Sequence, residues 1–148
     1  GLLDKAKAGK VNKESFLAAI DLVPSLLAIA GVNPPGGIAY DGQDLHDTVL
    51  GKSDASRTAP LFFRRPPDRD NFYGDTDLPD LAVRSGKRKL LCEYDGSEPE
   101  LYDLEADRAE TTNLAEEHPD IARRLTQAVR EWNARLPQDK GATYVEKQ

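Results

Sequence analysis

The side chains that could do chemistry are few: two histidines, His46 and His118, and one cysteine, Cys92. His46 sits in Asp44-Leu45-His46-Asp47, a base flanked by acids, but a hydrolytic base needs a nucleophile or an open metal site beside it. In so charged and turn-rich a stretch it reads as a surface histidine. His118 directly precedes Pro119 and reads as a helix-start residue. Cys92, between Leu91 and Glu93 and without a cation pattern to depress its pKa, reads as a small buried hydrophobe. The histidine spacing offers no zinc motif, and a lone cysteine closes no intrachain disulfide. Asp68, Asp70, Asp75, Asp77 and Asp80 form an acid run that could hold calcium, yet it lacks the spacing and closing glutamate of an EF-hand and reads as a solvated loop. Arg64, Arg65 and Arg69, clustered beside Pro66-Pro67, suit a carboxylate, sulfate or phosphate ligand; the alternative is a solvent-facing charge cluster.

The elements that must position these residues follow from composition and period. At 148 residues and 16.3 kDa the chain is sized for one domain. With 39% hydrophobic and 31% charged residues it is polar for a globular protein but short of a disordered composition. A net charge of −6 with interspersed signs offers no basic face, which argues against nucleic acid and anionic lipid as partners. The longest apolar stretch, residues 16–32, carries Asp21 and Pro24 and is short for a membrane span, so none is expected.

Residues 1–13 read as a connector. Asp21 reads as the N-cap of a helix with Pro24 in its first turn and Gly31 as its left-handed stop. Leu22, Val23, Leu26, Leu27 and Ile29 make that helix apolar on several sides. A loop-rich stretch runs from 32 to 60. Leu61-Phe62-Phe63 predicts a strand, and 81–84 and 87–94 predict a hairpin around a Ser85-Gly86 turn. Residues 100–104 predict a further strand, so the middle of the chain is a meander of about four antiparallel strands. Ile121, Leu125, Val129, Trp132 and Leu136 recur at helical spacing after Pro119 and predict a covering helix. Asn113-Leu114-Ala115-Glu116 has the form of a capping box ahead of it. The fold class is therefore α+β, a small antiparallel sheet covered by a C-terminal helix and preceded by an apolar helix.

Four segments in a fixed order resemble the sulfatase family. Asp21-Leu22-Val23-Pro24-Ser25-Leu26-Leu27-Ala28-Ile29-Ala30-Gly31 is similar to its Asp-Leu-x-Pro-Thr/Ser-Leu-Leu-x-Leu-Ala-Gly pattern. Asp41-Gly42-Gln43-Asp44-Leu45 resembles its Asp-Gly-x-Ser-Leu stretch. Ala82-Val83-Arg84-Ser85-Gly86-Lys87-Arg88-Lys89-Leu90 resembles its Ala-Val-Arg-x-Gly-x-x-Lys-Leu hairpin. Glu100-Leu101-Tyr102-Asp103-Leu104, followed by Asp107, Glu110, Asn113 and Leu114, resembles its Glu-Leu-Tyr-Asp-Leu-x-x-Asp-Pro-x-Glu-x-x-Asn-Leu signature. The chain departs from these patterns at Arg108, where proline is usual, and at Ser25, where threonine is commoner.

The resemblance implies a C-terminal sulfatase region: residues 1–31 a connector and the last helix of a larger α/β main domain, 32–60 a linker, and 61–148 the C-terminal subdomain. The start at Gly1-Leu2-Leu3-Asp4, without initiator methionine or signal features, is what an internal or processed piece would show. The sulfatase signature Cys/Ser-x-Pro/Ala-x-Arg, source of the formylglycine nucleophile, does not occur in the sequence with cysteine or with proline; its serine-alanine form is met only by Ser53-Asp54-Ala55-Ser56-Arg57, in the linker after the helix taken as the last of the main domain, and no catalytic or metal-binding residue is carried over. Formylglycine and calcium are expected in the N-terminal domain, and the region itself is expected to be inactive. The resemblance also places Arg64, Arg65, Arg69 and Asn71 on a loop that faces substrate in the parent enzyme. The implied partners are the chain's own N-terminal catalytic domain and a sulfated substrate, with a homodimer through Leu22, Leu26 and Leu27 as the fate of the apolar helix in isolation. The implied compartment is exported, periplasmic or extracellular, or lysosomal. The reading from another class is a free-standing protein-interaction module that keeps the small fold.

Overall fold

A computed structural model describes residues 9, 11–33, 36–65 and 78–137, and divides the chain into two compact units, Gly1–Pro60 and Leu61–Gln148. In the second unit, β1 (Leu61–Arg64), β2 (Leu81–Ser85), β3 (Arg88–Cys92) and β4 (Glu100–Asp103) form one sheet in the order β1-β2-β3-β4. All three pairings are antiparallel. The register brings Phe62, Val83, Leu90 and Leu101 into one cross-strand row. Because side chains alternate across a strand, that row shares a face with Leu81 and Cys92. Helix α3 (Pro119–Ala134) lays Ala122, Leu125 and Val129 on this face to close the core. Phe62 stacks on Trp132 with ring centroids 5.4 Å apart.

Three local expectations shift. Ser85 pairs with Arg88, so the hairpin turn is Gly86-Lys87 and not Ser85-Gly86. A two-residue turn with positive φ at its first central position needs glycine there, and Gly86 has φ 57°. The slip matters, since a turn at Ser85-Gly86 would set Val83 opposite Arg88 instead of Leu90. The apolar stripe of α3 gains Ala122, while Leu136 falls past the helix end. Asn113 does not cap α3. Its Oδ1 accepts from the Leu101 N–H at 3.0 Å and the Ala115 N–H at 2.9 Å, tying β4 to the chain that leads into the helix, which starts only at Pro119 with His118 at the N-cap.

The first unit is organised the other way round. After a 3-10 turn (Ala19–Asp21), α1 (Leu22–Ala30) ends at Gly31, with φ 65° and the paired Gly31-to-Ala28 and Val32-to-Leu27 backbone bonds of a left-handed stop. A short α2 (His46–Val49) follows. The buried residues described here are Asp21, Ser25, Thr48, Leu50 and Arg57, of which only Leu50 is apolar. Asp21 stands at the N-cap position of α1, but its side chain makes no cap bond to that helix and is fully buried. Its Oδ1 pairs with the Arg57 guanidinium and accepts from the Gln43 N–H at 2.7 Å, and its Oδ2 accepts from the Ala18 N–H at 2.8 Å. Four residues on, the Ser25 hydroxyl donates to the Asp21 carbonyl and accepts from the Leu45 N–H. Asp21 and Ser25, one helical turn apart, put the polar side of α1 inward. Leu22, Val23 and Leu26 face out, 45%, 50% and 55% exposed.

Gly42 lets this arrangement close. A Cβ there would run into the backbone carbonyl of Ile20, next to the buried carboxylate, whereas one at Gly36 would meet open space. Gly42→Ala is therefore expected to cost about 2–4 kcal/mol through forced backbone movement, and Gly36→Ala less than about 0.5. Urea unfolding of the two variants checks this.

Candidate functional site

The arginine cluster lies at the open end of the β1–β2 hairpin. β1 ends at Arg64, and one further ladder bond, Arg65 N–H to the Asp80 carbonyl at 2.8 Å, closes the mouth. The Arg64 guanidinium donates to the Pro137 carbonyl at 3.1 Å and to Asn133 Oδ1 at 3.4 Å, so it reaches the end of α3. Arg65 donates to the Leu78 carbonyl and lies 3.8 Å from the Asp80 carboxylate. The Tyr94 hydroxyl donates to the Arg65 carbonyl at 2.8 Å, and Asp80 Oδ2 accepts from the Tyr94 N–H at 3.3 Å. Both guanidinium groups are thus engaged with the chain itself. Arg69 and Asn71 lie outside the described residues, as do Asp68, Asp70, Asp75 and Asp77 of the acid run. The fifth acid, Asp80, serves the hairpin mouth. An open groove of about 910 Å³ along α3 adjoins that mouth through Tyr94 and Asn133. Two of its polar side chains are already bonded along the helix, Arg123 to Asp120 and Gln127 to Glu131.

The remaining candidate residues do structural work. Cys92 is fully buried on β3, and burial, then the nearby Glu93 charge, pushes its thiol up to about 11. Such a thiol is no nucleophile at neutral pH. His46 is a surface residue with Nδ1 2.9 Å from Asp44 Oδ1. Among the described residues no group of three or more His, Cys, Asp or Glu stands together to hold a metal ion, so they do not fit a calcium site. Cys92 does not fit the formylglycine position either, since Glu93-Tyr94-Asp95 follows it. No described helix is long and apolar enough to cross a membrane.

The motif residues explain each other. Lys89 Nζ donates to both carboxylate oxygens of Glu110 at 2.7 Å. Glu110 holds a left-handed backbone at φ 57° that the bidentate pair helps to secure. Asp107 accepts from the Thr111 and Thr112 N–H groups, turning the chain toward Asn113. The Tyr102 hydroxyl donates to Glu100, and burial followed by that bond pushes its pKa up to about 12. Asp103 accepts from Lys87 Nζ at 3.1 Å and from the Glu105 N–H. These are stitches between β3, β4 and the segment that carries the chain to α3.

Searched against protein-family models, the chain matches none. Individual proteins do match. Mouse arylsulfatase K is 33% identical over 119 residues, covering 78% of this chain and 21% of that protein. An N-acetylgalactosamine-6-O-sulfatase of Bacteroides thetaiotaomicron is 28% identical over 136 residues, covering 82% and 24%. Among solved structures, a 6S-sulfatase from a Bacteroides thetaiotaomicron locus for metabolism of glycosaminoglycans superposes with TM-score 0.57 at 26% identity, over 78% of this chain and 24% of that one. The chain matches a sulfatase C-terminal region. It spans about a fifth to a quarter of the length of these sulfatases.

The raised Cys92 pKa sets a pH dependence. The fold favours the neutral thiol, so its contribution is complete below the ordinary thiol value of 9.0 and is lost as pH rises toward about 11. Cys92→Ala should be less stable at neutral pH, and its deficit against the parent chain should narrow above about pH 9. Urea unfolding of both across that interval reads the convergence; a constant deficit would contradict it.

Proposed function

We propose that this chain is the non-catalytic C-terminal part of a sulfuric ester hydrolase, where it completes the fold and borders the substrate cleft. The observation that carries this reading is the inverted helix α1. Its polar side, Asp21 and Ser25, is buried, and its apolar side, Leu22, Val23 and Leu26, is left outside. A unit whose described interior is mostly polar gains little from its own apolar burial and has an apolar surface to give to a partner. The N-terminal catalytic part of the same protein is the occupant we assign to it. The matched sulfatases support this, since this chain accounts for only 21% and 24% of their length. A second copy packed through Leu22, Leu26 and Leu27 is the competing occupant for the chain in isolation, and a free-standing interaction module the competing function.

The nucleophile, a formylglycine, and the calcium that would hold the sulfate oxygens are assigned to the N-terminal part. A sulfated sugar is the substrate class, supported by the names of the matched glycan sulfatases. The residues we assign to the substrate side are Arg64, Arg65, Arg69 and Asn71, whose guanidinium and amide donors suit an anionic sugar. An exported or lysosomal location accords with such a substrate.

The test is turnover. The full-length protein is expected to release sulfate from an aryl sulfate and from a sulfated oligosaccharide, and the purified chain alone to release none, with or without calcium. Turnover by the chain above the buffer rate, or none by the full-length protein, would contradict the assignment.

A further inference from the structure

The sheet of the second unit has two faces, and α3 covers one of them. On the other, the register sets Phe63, Ala82, Leu91 and Glu100 in one cross-strand row and Leu61, Arg84, Lys89 and Tyr102 in the next. An antiparallel sheet with one face in water ordinarily alternates apolar-in with polar-out. Here the middle of the outer face is apolar instead. Phe63 is 50% exposed, and Leu61, Ala82 and Leu91 are half-buried. Among the described residues of this unit, no helix or strand lies over them.

The charged side chains on this face already have partners within the chain. Lys89 pairs with Glu110 at 2.7 Å, and Glu100 accepts from the Tyr102 hydroxyl at 2.8 Å. Arg84 donates to the Gly86 carbonyl at 3.2 Å. What the face offers a partner is therefore apolar contact along Leu61, Phe63, Ala82 and Leu91, with satisfied polar groups beside it.

The size of the face selects the kind of partner. Three strands about 4.8 Å apart, over a few residues at about 3.4 Å each, make a patch on the order of 200 Å². That is far below the ~800 Å² per partner buried when separate molecules form a stable complex. So small a contact cannot repay the translational and rotational freedom that a separate protein or a second copy would lose. A partner in the same polypeptide is already held close, and for it a small contact suffices. The matched region is only 21% and 24% of the length of the sulfatases above, which leaves most of such a polypeptide to supply that partner.

We propose that the face formed by Leu61, Phe63, Ala82 and Leu91 is a second docking surface for the catalytic part of the same protein, making the sheet a middle layer between α3 and that part. The proposal rests on the reading above in which a catalytic part belongs to this polypeptide, and extends its contact from α1 to the second unit. The surface that docks here is apolar and not charged. The contact holds the parts together and does not touch substrate.

Hydroxyl-radical footprinting, which labels side chains according to exposure and needs no variant, compares the full-length protein with this chain. Phe62, stacked on Trp132 on the opposite face, is the internal reference and should label equally in both. Phe63 should label readily in the monomeric chain and about fivefold more slowly in the full-length protein, as a half-exposed ring becomes a packed one. Adding a chondroitin 6-sulfate octasaccharide should change neither rate. Equally fast labelling of Phe63 in the two proteins overturns the proposal, as does slow labelling in the monomeric chain. Protection that grows with the concentration of the chain, and is no greater in the full-length protein, gives the face to a second copy; protection of the full-length protein only by the octasaccharide gives it to substrate. Either result also overturns the proposal. Sulfate release is followed in parallel. An active full-length protein with Phe63 open refutes the docking face alone, whereas one that protects Phe63 and releases no sulfate refutes the enzyme reading alone.

Discussion

The buried pair of Asp21 and Arg57 is the constraint on which the first unit depends. Two charges taken out of water are tolerated only when each is fully bonded. Here Asp21 accepts from Arg57, Gln43 and Ala18, while Arg57 also donates to the carbonyls of Asp41 and Ala59. The pair thereby gathers residues 18–21, 41–43 and 57–59 around one carboxylate. Removing either partner alone would strand the other charge, at a cost of about 3–5 kcal/mol. The same pair decides which way α1 faces. Once Asp21 and Ser25 turn inward, a helix so rich in leucine, valine and isoleucine has no choice but to present apolar side chains outward.

The second unit is built on the opposite principle and needs no such centre. Leu81, Val83, Leu90, Cys92 and Leu101 from the sheet and Ala122, Leu125 and Val129 from α3 make an apolar core in which every member is almost fully buried. Burial of that surface is ample reason for the sheet and helix to hold together. Polar residues then sit at the margins, where they fix connections. Lys89 with Glu110 and Asn113 with Leu101 secure the return from β4 to α3, and Tyr94 with Arg65 secures the mouth of the first hairpin. Of the residues in the patterns that resemble the sulfatases, Lys89, Glu110 and Asn113 hold these connections.

What could be read from the sequence follows the range of the interaction. The strands and α3 were legible because a two-residue or 3.6-residue period reports burial within a few neighbours. The local pattern sets the hairpin turn one residue early because Gly86 can serve in more than one turn position, and only the pairing of Ser85 with Arg88 decides. Asn113 and Asp21 read locally as helix caps, yet each side chain answers to a distant partner. Asn113 answers to Leu101, 12 residues away, and Asp21 to Arg57, 36 residues away. At the candidate site the arginines stood out by composition. Tyr94 and Asn133 did not, because nothing local joins Tyr94 to Arg65, 29 residues away, or Asn133 to Arg64, 69 residues away.

The outward apolar face of α1 is the feature that separates a domain part from a free module, and hydrogen exchange reads it directly. Amides of α1 in the full-length protein should exchange far more slowly than in this chain alone at a concentration where the chain is monomeric, because the catalytic part covers Leu22, Val23 and Leu26. Equal exchange in the two, with α1 equally open, would contradict a region built to be covered by the rest of a sulfatase.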